Sequence, residues 1–468
     1  MAAAPGPPAG GGGPAGRVAA ANPPAAGSLE AVRRASGPRH VRDAGAADEV
    51  DGLRPSLVAE PGTVEEVAAV MRAASQGGLR VVVRGDGTKL GWGAPPSAVD
   101  LVLATTRLDR VLEHASGDLV VRAQAGVRLA DLQRELTPAG QMLALDPPEA
   151  GATLGGVVAA AASGPRRLRY GTPRDLLIGS TVVLPDGTVA HSGGKVVKNV
   201  AGYDLGKLLA GSFGTLAVLV EVIFRLHPLP AARGMVVAEV ATPERAGSCV
   251  RALLASTLVP SAVELDWPDA AGAGALSVLV EGVAPGVEAQ TGAAARLLGE
   301  HGSARVLEPG EVDAAVATLG ALPWAADRPG AGSEASGAGS DGAPAPARVL
   351  GVKVTCVPSD LPGALAALWE VAGAHGLDAQ VSGHAAVGVL RAALRGGDAA
   401  AQAAFVADLR GRLALGGAAL VVQEAAPQVK RAVDVWGPAG DALGLMRRVK
   451  RQFDPAGVLS PGRFVGGI

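Results

Sequence analysis

Arg84-Gly-Asp-Gly-Thr-Lys-Leu-Gly-Trp-Gly93 leaves a short apolar run, Arg80-Val-Val-Val-Arg84, that reads as a strand. Glycines at 85, 87, 91 and 93 remove side-chain bulk, so backbone N–H groups can converge on an anion such as a pyrophosphate. Arg84 and Lys89 add positive charge, and Thr88 offers a hydroxyl. The spacing matches neither common phosphate loop. Leu90 stands where GxGxxG needs its third glycine, and no Gly-Lys-Ser/Thr follows at Walker spacing. Taken alone, the stretch is equally consistent with a glycine-rich turn.

Its surroundings point further. Upstream, Leu57-Val-Ala-Glu60 reads as a strand, and Thr63 with Glu66 forms a capping box that opens a helix. Val64, Val67, Ala68, Met71 and Ala74 give that helix one apolar face, and Gly77-Gly78 ends it. This is a β-α-β unit with the glycine loop at its exit. Downstream, the pattern predicts a strand at 119–124 and a helix at 129–136. A hairpin at 176–184 and 188–191 turns around Pro185-Asp-Gly187. A short helix at 204–210 and a buried strand at 216–226 follow. Two more glycine-rich stretches intervene. Gly151-Ala-Thr-Leu-Gly-Gly156 leads to Ser163-Gly164-Pro165, and Gly211-Ser-Phe-Gly-Thr215 precedes the buried strand. Three such approaches, separated by strands, suit one large ligand better than three unrelated turns.

The length, 468 residues, exceeds what one hydrophobic core usually serves. Pro228 and Pro230 punctuate the chain after the buried strand, which places a boundary near 230. An N-terminal domain is expected over 50–230 and a second over 231–425. In the second, strands are expected at 235–240, 263–266, 276–281, 349–355 and 417–423. Helices are expected at 243–255, 286–299, 361–374 and 399–413, an antiparallel α+β pattern. Residues 1–27 are low-complexity and expected to be disordered, and 327–347 reads as a flexible insertion. Residues 426–468 are expected to form a helix, 442–453, and a tail returning to the first domain.

Net charge is −2, so no basic excess exists to recruit nucleic acid. Cys249 and Cys356 lie far apart with no metal-ligand spacing, which fits a reduced cytoplasmic setting. The N-terminal residues lack the basic and apolar regions of a signal peptide. No apolar run approaches the ~20 residues of a membrane span. Any association with the inner membrane is therefore expected to be peripheral and through partners.

The three glycine-rich segments, in this order, resemble the FAD-binding domain of the vanillyl-alcohol oxidase/PCMH superfamily. The resemblance is closer to the glycolate oxidase (glycolate dehydrogenase) FAD-binding subunits of type E. It rests on Gly140-Gln-Met-Leu143, Gly155-Gly-Val-Val-Ala-Ala160, Ser163-Gly-Pro-Arg-Arg167, Lys198-Asn-Val-Ala-Gly-Tyr-Asp204 and Phe453-Asp-Pro-Ala-Gly-Val-Leu-Ser-Pro-Gly-Arg463. It spans about 57–227 and the last ~20 residues, and is weak between. It implies an α+β, PCMH-type two-subdomain FAD-binding fold with a smaller antiparallel α+β cap. Carried over, the backbone of Arg84, Gly85, Asp86, Gly87, Thr88, Lys89 and Leu90 would hold the pyrophosphate. Asp146, Ala152, Thr153, Gly155, Gly156, Ala162, Ser163 and Gly164 would line the ribityl chain and ring. Residues 213–219, among them Gly214, Thr215 and Val218, would pass along the flavin or adenine. The family's usual Glu and Gly are here Phe213 and Ala217, and Asp86 stands where the loop often has Gly. The loop holds no His or Cys for covalent attachment, so FAD is expected to be non-covalent.

Sister D subunits carry metal-binding histidines. The corresponding stretches here, 382–391 and 422–425, lack the terminal His and the Glu-His pair, so no metal is expected. His384 is the candidate flavin-facing base, against the plainer reading of a surface or loop histidine. Lys198, Tyr203 and Asp204 read as bonds closing the FAD domain. Arg166, Arg167 and Arg169 could bind a carboxylate, face a partner or be merely solvated, and Arg463 could reach the cofactor or end the last helix. The expected activity is FAD-dependent oxidation of the CH–OH of a small 2-hydroxy acid, with a D-like catalytic subunit and an iron–sulfur subunit as partners. A self-sufficient oxidoreductase and a non-catalytic structural partner are the alternatives.

Overall fold

The computed structural model describes residues 24–195, 204–327 and 349–468. Residues 1–23, most of the 327–347 insertion, and Lys198 to Tyr203 lie outside them.

The first sheet has four strands in the order Val41–Asp43, Leu57–Ala59, Leu101–Ala104, Val81–Arg84. The last three run parallel to one another, and Val41–Asp43 pairs antiparallel at the edge. The sheet therefore begins before residue 50, and the helix Ala26–Ser36 packs on the helix Val64–Gln76. Thr63 caps that second helix, its Oγ1 accepting from Glu66 N at 3.1 Å. Glu66 closes the turn by accepting from Gly62 N rather than from Thr63 N. The free side of Val81–Arg84 is completed from the far end of the chain. Val81 N donates to Val458 O, and Ser460 N donates to Val81 O, both at 2.8 Å.

The second sheet has five antiparallel strands, ordered Val111–Ala115, Val120–Gln124, Val218–Arg225, Leu177–Val183, Val189–Gly193. The central strand Val218–Arg225 is buried along most of its length, as its apolar run requires.

The third sheet, the largest, has eight antiparallel strands. Their order is Ala304–Val306, Ala232–Val240, Gly274–Gly282, Ala262–Trp267, Asp378–His384, Val389–Arg395, Leu350–Thr355, Ala419–Glu424. Side chains alternate between its faces. Val236, Val263, Leu265, Val352, Val381 and Leu390 share one core with residues of the helices Pro243–Ala255, Ala284–Gly299, Leu361–Ala374 and Ala399–Ala414. The other face is apolar at Met235, Ala262 and Leu279, which pack with Val312, and polar across its middle strands. Lys353 lies opposite Arg391, Arg391 opposite Ser382, and Ser382 opposite Asp266. Glu264 lies opposite His384 on the same face. That face is turned to residues 146–170 of the N-terminal unit, where Arg166 forks onto Glu281 and Arg169 bonds the Ser261 hydroxyl. Among the described residues no helix is long and apolar enough to cross a membrane.

Candidate active site

The three glycine-rich segments meet in one cleft. Residues 84–90 form one wall. Thr153, Gly155, Gly156, Ala159 and Ala160, on the helix Leu154–Ala160 and its cap, form a second. Residues 212–214, Ala217 and Leu219 form a third, and Ser460 and Arg463 close it.

The loop wall works through its backbone. The N–H groups of Gly85, Asp86, Gly87 and Thr88 find no partner within the described residues, whereas Leu90 N donates to Gly87 O at 2.9 Å. Four consecutive free amides make an anion-binding nest. The loop's cations are engaged elsewhere: Arg84 Nη1 bonds Asp48 Oδ1 at 3.0 Å, and Lys89 Nζ lies 3.0 Å from Glu149. Arg128 pairs with Asp86 and compensates the acid that replaces a glycine. Gly85 allows the walls to close, because a Cβ there would lie 2.2 Å from Thr153 Oγ1.

The C-terminal tail holds the loop. Arg463 Nη2 donates to Leu90 O at 2.7 Å and to Trp92 O at 2.5 Å. Its Nη1 is buried without a partner, and burial lowers its pKa to about 10. Lys430, buried, pairs with Asp51 at 2.6 Å and also bonds Gly91 O. Phe213 adopts a left-handed backbone, φ +60°, and its ring meets Trp436 edge-on at 5.1 Å beneath the Arg463 guanidinium. Phe213, Gly214, Ala217 and Leu219, within the expected 213–219 stretch, line the cleft; sequence reasoning missed Ser212 and Ser460.

The rest of the central segment does not reach the cleft. Asp146 lines a separate cavity with Arg166, Leu279 and Ala321, and accepts from Arg166 N at 3.0 Å. Burial raises its pKa to about 6. Ala152, Ala162, Ser163 and Gly164 are buried behind the cleft, with Gly164 packed on the Asp146 carbonyl. Thr215 turns its hydroxyl to Ser212 O, and Val218 points into the core while Ala217 and Leu219 face the cleft. Asp204 caps the helix Leu205–Leu209.

His384 ends the strand Asp378–His384 and is 1% exposed, so the loop or surface reading does not hold. Its Nδ1 lies 2.8 and 2.9 Å from the two Glu264 carboxylate oxygens; its buried Nε2 makes no hydrogen bond of good geometry, while the Ser163 backbone lies close enough to act on the ring. Burial raises Glu264 to about 8. Burial, then the charges of Arg391 and Arg167, hold His384 far down, at about 2. The imidazole is therefore neutral. While Glu264 is protonated its O–H donates to Nδ1 and the ring's own proton sits on Nε2. Once Glu264 ionises, Nδ1–H donates to the carboxylate and Nε2 presents a lone pair. Beside the pair, Arg391 donates from Nη2 to Ser163 O at 3.2 Å. Nothing in the pattern of the cap had singled out Glu264, Lys353 or Arg391. A charged residue at alternate positions of an apolar strand was the available sign. Among the described residues, no group of three or more His, Cys, Asp or Glu could hold a metal ion.

Residues 55–193 match the model of an FAD binding domain, and residues 436–464 match that of the C-terminal domain of FAD linked oxidases. The chain is 30% identical over 437 residues to an FAD-linked oxidoreductase of Mycobacterium tuberculosis, across 88% of this chain and 91% of that one. The chain belongs to the FAD-linked oxidoreductases. Within this family it is 38% identical over 154 residues to glycolate oxidase subunit GlcE of Escherichia coli, 32% of this chain and 43% of that one. It is 34% identical over 216 residues to subunit GlcD of Bacillus subtilis, 46% of each chain. The fold is that of p-cresol methylhydroxylase, with TM-score 0.71 at 17% identity over 93% of this chain and 96% of that one. It is thus α+β of the PCMH type. FAD is the cofactor of this oxidoreductase, and the cleft fits it. The free amides of 85–88 can take a pyrophosphate, Gly85 provides a cradle that a Cβ would fill, and the orphaned Arg463 Nη1 sits in the wall.

Proposed function

We propose that this FAD-linked oxidoreductase acts on the CH–OH of a small 2-hydroxy acid, as a GlcE-like chain of a glycolate oxidase type of assembly that hands electrons to a partner or acceptor. The observation that carries this reading is the buried His384–Glu264 pair on the sheet face turned to the 146–170 segment. FAD, held non-covalently by the 84–90 backbone, supplies the acceptor for the hydride. His384 Nε2 accepts the hydroxyl proton, and Glu264 orients the ring and stabilises the imidazolium that forms. Relatives named D-lactate dehydrogenase, such as that of Archaeoglobus fulgidus, 36% identical over 208 residues, support the choice of substrate.

The test is stopped-flow reduction of the purified yellow protein by glycolate and by D-lactate, alone and with co-purified D-like and iron–sulfur subunits. Reduction by either acid in any of these assemblies supports the reading. A flavin that photoreduces yet ignores both acids in every assembly overturns it. Acid precipitation that leaves flavin in the pellet overturns non-covalent binding.

A further inference from the structure

Among the described residues, the cations lining the cofactor cleft are Arg84, Lys89 and Arg463. Arg84 pairs with Asp48, and Lys89 with Glu149. Arg463 has no carboxylate within ion-pair distance among the described residues. It meets the carbonyls of Leu90 and Trp92, and its buried Nη1 makes no hydrogen bond. The acid whose charge acts on it, Asp51, is already paired with Lys430. Burial lowers Arg463 only to about 10, so the guanidinium stays charged at neutral pH.

Phe213 stands beside that charge, its ring centroid 5.8 Å from the guanidinium carbon. An aromatic face attracts a cation without carrying a countercharge. The ring is held there from several sides. Phe213 N donates to Ala159 O at 2.9 Å, Trp436 meets the ring edge-on at 5.1 Å, and Phe464 stacks on it at 6.3 Å. Gly93 lets it approach, because a Cβ there would lie 2.8 Å from the Phe213 ring. The backbone at 213 is left-handed, φ +60°, a conformation that costs an L side chain and is kept where the surroundings dictate it. The free amides of 85–88 open the loop, whereas Arg463 bonds carbonyls at its end. That end borders the cap: Lys430 bonds Gly91 O, and Trp436 packs on the cap core. A pyrophosphate on the amides thus leaves Arg463 to the part of FAD nearest the cap. We propose that Phe213 is a positioning residue that acts through Arg463: its uncharged ring leaves the guanidinium unneutralised toward the flavin ring and so favours the reduced, anionic cofactor. Charge beside the ring is one of the means by which a protein sets flavin electronics. The inference needs FAD as the cofactor and does not depend on which substrate reduces it.

The midpoint potential of the bound FAD, measured by dye-equilibrated reduction of the holoprotein, tests this. Phe213→Glu sets a carboxylate beside the guanidinium. It is expected to weaken the preference for reduced over oxidised FAD about tenfold, a fall of ~30 mV for a two-electron couple. Phe213→Gln has the same shape without the charge and is expected to keep the parent potential. A potential unmoved by Phe213→Glu, or lowered as far by Phe213→Gln, overturns the proposal. Loss of flavin from both variants overturns it too, because the ring then serves packing alone. Loss from Phe213→Glu while Phe213→Gln stays yellow at the parent potential upholds the charge effect.

Discussion

Gly85 and Thr153 touch across the cleft: a Cβ at 85 would stand 2.2 Å from the threonine hydroxyl and 3.2 Å from its Cβ. Two glycine-rich segments are thereby held as facing walls. Gly85→Ala must push them apart and is expected to abolish the visible flavin spectrum of the purified protein. Thr153→Ala in the same chain removes the hydroxyl and is expected to restore part of it. A Gly85→Ala protein as yellow as the parent would show that the walls do not need this contact.

Proton acceptance at His384 Nε2 requires ionised Glu264, whose pKa burial has raised to about 8. The rate of flavin reduction by the hydroxy acid is therefore expected to rise about tenfold per pH unit below ~8 and to level off above it. Glu264→Gln is expected to flatten the profile, and His384→Asn to slow reduction by roughly 10²–10⁴-fold with FAD still bound. Rate profiles in stopped flow decide this, with flavin content as the control.

Asp146 is half-buried, and the loss of water around it raises its folded pKa to about 6, above the usual ~3.9. The folded state holds that proton more tightly than the unfolded chain. Its contribution is fully present below pH ~4 and is lost as pH rises through ~6. Asp146→Asn is expected to match the parent near pH 4 and to exceed it above pH ~6 by up to about 3 kcal/mol. Denaturant unfolding from pH 4 to 7.5 measures the difference. A constant or inverse difference would contradict it.

Lys430 and Asp51 form a buried pair, with side chains 1% and 7% exposed. Lys430→Met strands a buried carboxylate and frees Gly91 O, so a loss of about 3–5 kcal/mol is expected. Lys430→Met with Asp51→Asn is expected to regain part of it, as a double-mutant cycle would show.

The cofactor cleft was legible because its chemistry is backbone chemistry. Glycines at 85, 87, 155, 156 and 214 announce it, and the Thr63 cap and the apolar stripe of Val64–Gln76 place the unit around it. The polar sheet face was not. Asp378–His384 and Val389–Arg395 escaped notice because their alternation is broken by Gly383 and diluted by alanines, so neither reads as a strand. Arg391, Lys353 and Glu264 acquire meaning only through cross-strand register, which joins Glu264 to His384, 120 positions away, and Lys353 to Arg391 on another strand. Asp146 and Ser163 were assigned to the ribityl chain and ring of the cofactor; in the structure Asp146 accepts from Arg166 N, and Ser163 O accepts from Arg391 of the cap sheet.

The strand before the glycine loop gains its outer neighbour only from residues 458–460, and the loop's carbonyls meet Arg463 just after. A ribosome must therefore release residues 458–463 before the nucleotide has anywhere firm to settle. Flavin uptake is expected to wait for that segment, and clipping that removes residues 458–463 is expected to yield colourless protein.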